Sequence, residues 1–150
     1  MAMHSGECRC GAVAFEIAGS PILTMACHCK GCQRMTSGAF SLSALYQDYR
    51  FSKISGETVL GGLKGPTRHY FCSKCLSWIY TIPESLEGMV NIRTPMLEDA
   101  AKFPPFVDVF LAEKLPGAIS GAPHGFDQSP DAEKFRELAG SYAEWDRRPD

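Results

Sequence analysis

Seven cysteines fall in three tight groups, Cys8-Arg9-Cys10, Cys27-His28-Cys29-Lys30-Gly31-Cys32 and Cys72-Ser73-Lys74-Cys75. This pattern restricts the chain more than any other feature. Thiols one or two residues apart can turn toward a common point, and short spacing keeps the entropy lost on closing such a site small. An odd number cannot pair completely in disulfides within one chain. Residues 1–7 lack the basic-then-apolar pattern of a secretory leader, so a cytoplasmic setting is expected. In a reducing compartment, closely spaced cysteines hold metal more often than they oxidise. Zinc accepts thiolates readily and prefers four ligands in a tetrahedron.

Seven divides naturally as four plus three. Four protein ligands close a structural site, whereas three leave a position for water or substrate. Spacing leaves open which groups combine. A chelate built from the first and third groups would staple an N-terminal strand to a distant turn through Cys8, Cys10, Cys72 and Cys75. The middle group, Cys27, Cys29 and Cys32, would then hold a second ion alone. A histidine is the competing fourth ligand there. His28 lies between two cysteines and is expected to point away from them. His69 and His124 are remote in sequence but able to reach.

The 150 residues suit one domain, and 45% hydrophobic content fills one core. Short apolar, β-rich runs at residues 12–17, 39–46, 68–71, 78–82, 89–92 and 106–110 alternate with turn signals such as Gly61-Gly62 and Lys64-Gly65-Pro66. They predict a mainly β fold of antiparallel sheets. Short helical turns are expected at residues 30–35, ended by Gly38, and at 98–102. A C-terminal helix is expected from Pro130, with Phe135, Leu138, Tyr142 and Trp145 as its buried stripe. A net charge of −2 without a basic stripe argues against nucleic acid as a partner. No apolar run approaches the roughly 20 residues of a membrane span.

The three cysteine groups carry further detail. Gly6-Glu7-Cys8-Arg9-Cys10-Gly11-Ala12-Val13 runs into a strand. Cys27 to Arg34 reads Cys-His-Cys-Lys-Gly-Cys-Gln-Arg and is followed by Gly38-Ala39-Phe40, and Phe71 precedes the third pair. Taken in order over residues 5–115, with a C-terminal extension beyond them, these motifs resemble the glutathione-dependent formaldehyde-activating family, which includes centromere-protein-V-like zinc domains. The resemblance implies coiled antiparallel sheets of the Mss-four-like kind. It implies two zinc ions, a structural one at Cys8, Cys10, Cys72 and Cys75 and a catalytic one at Cys27, Cys29 and Cys32. It also implies carbon–sulfur lyase chemistry, the reversible joining of formaldehyde and glutathione. In one place the chain departs from the family pattern: Leu76 follows the third motif where the family usually has glycine, so the loop and the substrate fit are expected to differ.

An ion held by three cysteinates is electron-rich, which favours holding a substrate thiolate over strong carbonyl activation. Arg34, two residues after Cys32, is the candidate partner for a glutathione carboxylate, with Arg68 and Lys30 as weaker candidates. Phe40 and Tyr46 are candidates to line a pocket, with core packing the stronger expectation. The competing function is a non-catalytic zinc module that binds a protein, in which both ions would be saturated by protein ligands.

Overall fold

A computed structural model describes residues 1–150. In chain order the strands are β1 (Met3–Glu7), β2 (Ala14–Ala18), β3 (Leu23–Cys27), β4 (Ser41–Gln47), β5 (Phe51–Ser55), β6 (Thr58–Gly61), β7 (Arg68–Cys72), β8 (Trp78–Ile82), β9 (Met89–Arg93), β10 (Val107–Val109) and β11 (His124–Gly125). Helix α1 (Lys30–Thr36) follows β3, and α2 (Ala132–Ala143) lies near the C-terminus. The strands form two sheets, a three-stranded one in the order β1-β2-β5 and an eight-stranded one in the order β11-β10-β3-β4-β9-β8-β7-β6. All pairings are antiparallel except those of β10, which runs parallel to β3 and to β11.

The expected mainly β architecture with short helices and a C-terminal helix is what the chain adopts, with the parallel β10 making the larger sheet mixed. The helical turn expected at residues 98–102 is a single 3-10 turn, Ala100–Lys102. Helix α1 ends at Thr36, two residues before Gly38, with Ser37 as its left-handed cap. Pro130 precedes α2 rather than opening it. Asp131 is the cap, its carboxylate accepting from the Lys134 N–H at 2.8 Å.

The larger sheet has two unlike faces because side chains alternate along each strand. On one face, Ala44 and Tyr46 of β4, Val90 and Ile92 of β9 and Ile79 of β8 pack against Phe15 and Ile17 of the small sheet. On the other face, α2 lays Leu138 and Tyr142 over Leu23, Val107 and Val109. The middle of that second face is polar. Register places Met25 opposite Ser43 and Ser43 opposite Arg93, then Asn91 opposite Thr81 and Thr81 opposite His69. A bulge between β7 and β8 shifts the register where Trp78 meets Phe71. It lets Ile79 enter the core while Trp78 turns to the polar face beside Thr81.

Candidate functional site

The structure gathers all seven cysteines into the two groups implied by the family resemblance: Cys8, Cys10, Cys72 and Cys75 in one, Cys27, Cys29 and Cys32 in the other. Within each group every sulfur lies within 4.8 Å of every other. None is in a disulfide.

The four-cysteine group joins two turns. Cys8 and Cys10 sit in the loop leaving β1, Cys72 ends β7, and Cys75 lies in the loop between β7 and β8. Cys10 Sγ lies 3.6 Å from Cys8 Sγ and 3.9 Å from Cys72 Sγ. A tetrahedral ion with metal–sulfur bonds of about 2.3 Å sets its sulfurs about 3.8 Å apart, so these edges are compatible with zinc. Backbone N–H groups point at the sulfurs, from Val13 to Cys8 and from Lys74 and Cys75 to Cys72. Such donors stabilise thiolate over thiol. The Ser77 hydroxyl, 3.2 Å from Cys75 Sγ, is the main cause holding that thiol down to about 5. Leu76 takes φ 59°, the left-handed conformation that glycine adopts freely. The tight turn of the third motif is therefore kept, and leucine bears its strain with a side chain that is mostly exposed.

The three-cysteine group is local. Cys27 ends β3, Cys29 caps α1 by accepting from the Cys32 N–H, and Cys32 lies in the first turn of that helix. Three crowded sulfurs cannot share protons equally. Hydrogen bonding with Cys29 pushes the Cys27 thiol far up, and the bonds that Cys29 receives from Cys27 and Cys32 pull Cys29 down to about 2. An ion held among them would replace this proton sharing.

No histidine or carboxylate joins the group. His28 points away, as expected, and is buried, with Nε2 2.6 Å from an Asp108 carboxylate that also accepts from Ser120. His69 lies across the sheet with Nδ1 2.9 Å from Thr81 Oγ1. His124 packs on Phe106 at the far edge.

Cys27 and Cys32 border a cavity of about 600 Å³ on the polar face. His69, Thr81, Asn91 and Arg93 form its strand side, and Phe135 and Arg136 of α2 its opposite wall. Arg93 also borders a second cavity of about 440 Å³, lined by Phe40, Trp78 and Leu76 among others. Neither cavity carries an Asp or Glu.

Arg93 was not visible as a functional residue in the sequence. It is only 7% exposed, its guanidinium lies 3.6 Å from the centre of the Trp78 ring, and it donates to Ser41 Oγ and Thr81 Oγ1. Nε has no partner and no carboxylate pairs with the side chain. Burial pulls its pKa down to about 10, and the thiolates of Cys32, Cys27 and Cys29 oppose that shift, so the group is charged at neutral pH. Arg34 is exposed on the last turn of α1 and borders neither cavity. Lys30 and Arg68 are exposed too. Tyr46 is a core residue as expected, donating its hydroxyl to the Gly19 carbonyl, whereas Phe40 stands at the second cavity against His28.

A family model described as glutathione-dependent formaldehyde-activating enzyme matches residues 3–113. A crystal structure of a Rhodobacter sphaeroides protein is similar in fold, with a TM-score of 0.53 and 18% identity, over 81% of this chain and 99% of that one. A search of curated proteins finds no match. Helix α2 lies beyond the family-matched segment. No helix is long and apolar enough to cross a membrane.

Proposed function

Because this chain belongs to the glutathione-dependent formaldehyde-activating enzyme family, we propose that it is a zinc-dependent carbon–sulfur lyase that reversibly joins a small aldehyde to an acidic thiol such as glutathione. The observation that carries this reading is the placement of the three-cysteine group. Cys27 and Cys32 face a cavity large enough for a tripeptide end, and no other protein ligand completes the set. A non-catalytic module would have no use for such an opening.

In this reading Cys8, Cys10, Cys72 and Cys75 hold a structural zinc, and Cys27, Cys29 and Cys32 hold the catalytic one. Zinc bound there would lower the pKa of a substrate thiol and keep its sulfur in the cavity. In the forward direction the thiol proton passes to solvent, and the sulfur lone pair forms the carbon–sulfur bond. The carbonyl π pair moves to oxygen, which takes a proton from water. The reverse path releases the aldehyde. Three cysteinates and one divalent ion sum to −1, and the buried Arg93 cation offsets that charge. Arg93 and Arg136, which both line a cavity without acidic residues, receive the carboxylates of the thiol. Arg34, on the outer surface of α1, meets an approaching carboxylate before entry. A cytoplasmic setting, where glutathione is abundant, completes the reading.

The test is titration of the cobalt-substituted protein with glutathione, followed by formaldehyde. Thiolate-to-cobalt bands should change on the first addition, and S-hydroxymethylglutathione should form faster than in buffer after the second. Bands that do not respond would mean that protein saturates both ions, and the binding module would replace the enzyme.

A further inference from the structure

Thr81 lies at the centre of a hydrogen-bonded chain on the cavity floor. Its Oγ1 accepts from Trp78 Nε1 at 3.1 Å and from Arg93 Nη2 at 2.8 Å. Both of those nitrogens can only donate, and a hydroxyl has two lone pairs and one proton. Its acceptor capacity is therefore full. The third contact, with His69 Nδ1 at 2.9 Å, must be one in which Thr81 donates its only proton. His69 Nδ1 is then an acceptor, and the ring proton sits on Nε2.

Four further observations bear on that proton. His69 borders the cavity that Cys27 and Cys32 open into. Its Nε2 makes no hydrogen bond within the protein and is not among the buried, unpartnered atoms, so it is open to a ligand. The ring also resists a second proton, because burial and the neighbouring Arg93 charge lower its basicity by more than the Cys29 thiolate raises it. An edge-on contact with Trp78, centroids 5.2 Å apart, fixes the plane of the imidazole. A histidine that lines a reaction cavity, held neutral in one tautomer and one orientation with an accessible, unpartnered N–H, is built to donate a hydrogen bond and not to shuttle a proton.

We infer that His69, locked by the Trp78–Arg93–Thr81 chain, is the hydrogen-bond donor to the oxygen of the one-carbon unit. This rests on the proposed lyase reading. As the carbon–sulfur bond forms and the carbonyl π pair moves onto oxygen, His69 Nε2–H bonds to that oxygen while its proton arrives from water. No proton leaves the imidazole, so Thr81 never has to supply one.

The test combines a spectroscopic signature with kinetics. Nitrogen-15 spectra of the metal-loaded protein at neutral pH should show His69 with a protonated Nε2 and a bare Nδ1. Thr81→Val should abolish that single-tautomer pattern. His69→Phe should lower kcat by about ten- to a hundredfold, below the roughly hundred- to thousandfold of a fully enclosed oxyanion donor because this cavity is partly open. It should change the glutathione KM less than threefold or so, and His69→Gln, which retains an N–H donor, should recover much of the loss. A bare Nε2, a Gln variant as slow as the Phe variant, or a kcat unchanged by His69→Phe would overturn the assignment. Loss of the second metal ion in His69→Phe would overturn it too, by making His69 a ligand. If His69→Phe fails to fold, the Gln variant and the nitrogen spectra still decide. Absence of turnover in the unaltered protein would remove the lyase reading itself, whereas turnover indifferent to His69 would remove this inference alone.

Discussion

The two cysteine groups should differ in what their loss does to folding, and the difference can be worked out from chain separation. Cys10 and Cys72 stand 62 residues apart in sequence with sulfurs 3.9 Å apart. Treated as a cross-link closing a loop of that length, the four-cysteine group restricts the unfolded chain by about 4 kcal/mol. That is a large share of the roughly 5–15 kcal/mol that holds a typical domain folded. The cleanest perturbation is the pair Cys10→Ser with Cys75→Ser. It leaves the buried thiols of Cys8 and Cys72 in the core and avoids placing a hydroxyl there. At about 2–4 °C per kcal/mol for a chain of this size, Tm should fall by roughly 8–16 °C. Cys29→Ser is the matched control. Its group spans six consecutive residues, so little loop entropy is at stake, and serine is itself a favoured helix cap that can accept the Cys32 N–H as Cys29 does. The cost should stay below about 1 kcal/mol while the second ion is lost. Calorimetric melting with metal analysis of both variants reads the result. Equal losses of Tm, or a larger loss in Cys29→Ser, would refute the division into a structural and a working group.

Three further outcomes are expected. Arg93→Met should weaken glutathione about tenfold or more, the loss of a charge-assisted hydrogen bond, while shifting binding of neutral 2-mercaptoethanol by less than about threefold; titration calorimetry of both thiols separates the two. Arg34→Ala should slow association of glutathione at low salt and leave its dissociation rate unchanged, an effect that stopped-flow mixing should see vanish at high ionic strength. Leu76→Gly should raise stability by about 0.5–1 kcal/mol in urea melts, because relief of a left-handed leucine outweighs the extra freedom glycine gives the unfolded chain.

What the sequence disclosed follows from how locally each feature is encoded. Cysteine spacing announces a candidate metal site whatever the surrounding fold, and the stripe on α2 is visible because Leu138 and Tyr142 are core residues at helical spacing. Strand β1 escaped notice because its inward positions are His4 and Gly6, which carry no hydrophobic signal. Strand β3 is largely covered on both faces and carries Thr24 on one of them, so it shows no apolar–polar alternation. The direction of β10 leaves no trace in three residues. Arg93 is equally silent in the sequence. One arginine at a strand end has no motif, and its role arises only when β4, β8 and β9 come into register and set Ser41, Thr81 and Trp78 around it. Arg34 stood out for the opposite reason, its nearness in sequence to Cys32, yet a helix turn carries it to the outer surface.

Chain separation also sets a clock during synthesis. Cys27, Cys29 and Cys32 are complete as a group once residue 32 has left the ribosome, whereas the other group must wait for Cys75, some 43 residues later. At about 5–20 residues per second, that interval is roughly 2–9 seconds. Helix α2, which closes one side of the cavity, emerges last. The nascent chain therefore presents all three thiols of that group to the cell's metal and oxidant pools before the sheet and helix that will shelter them are complete.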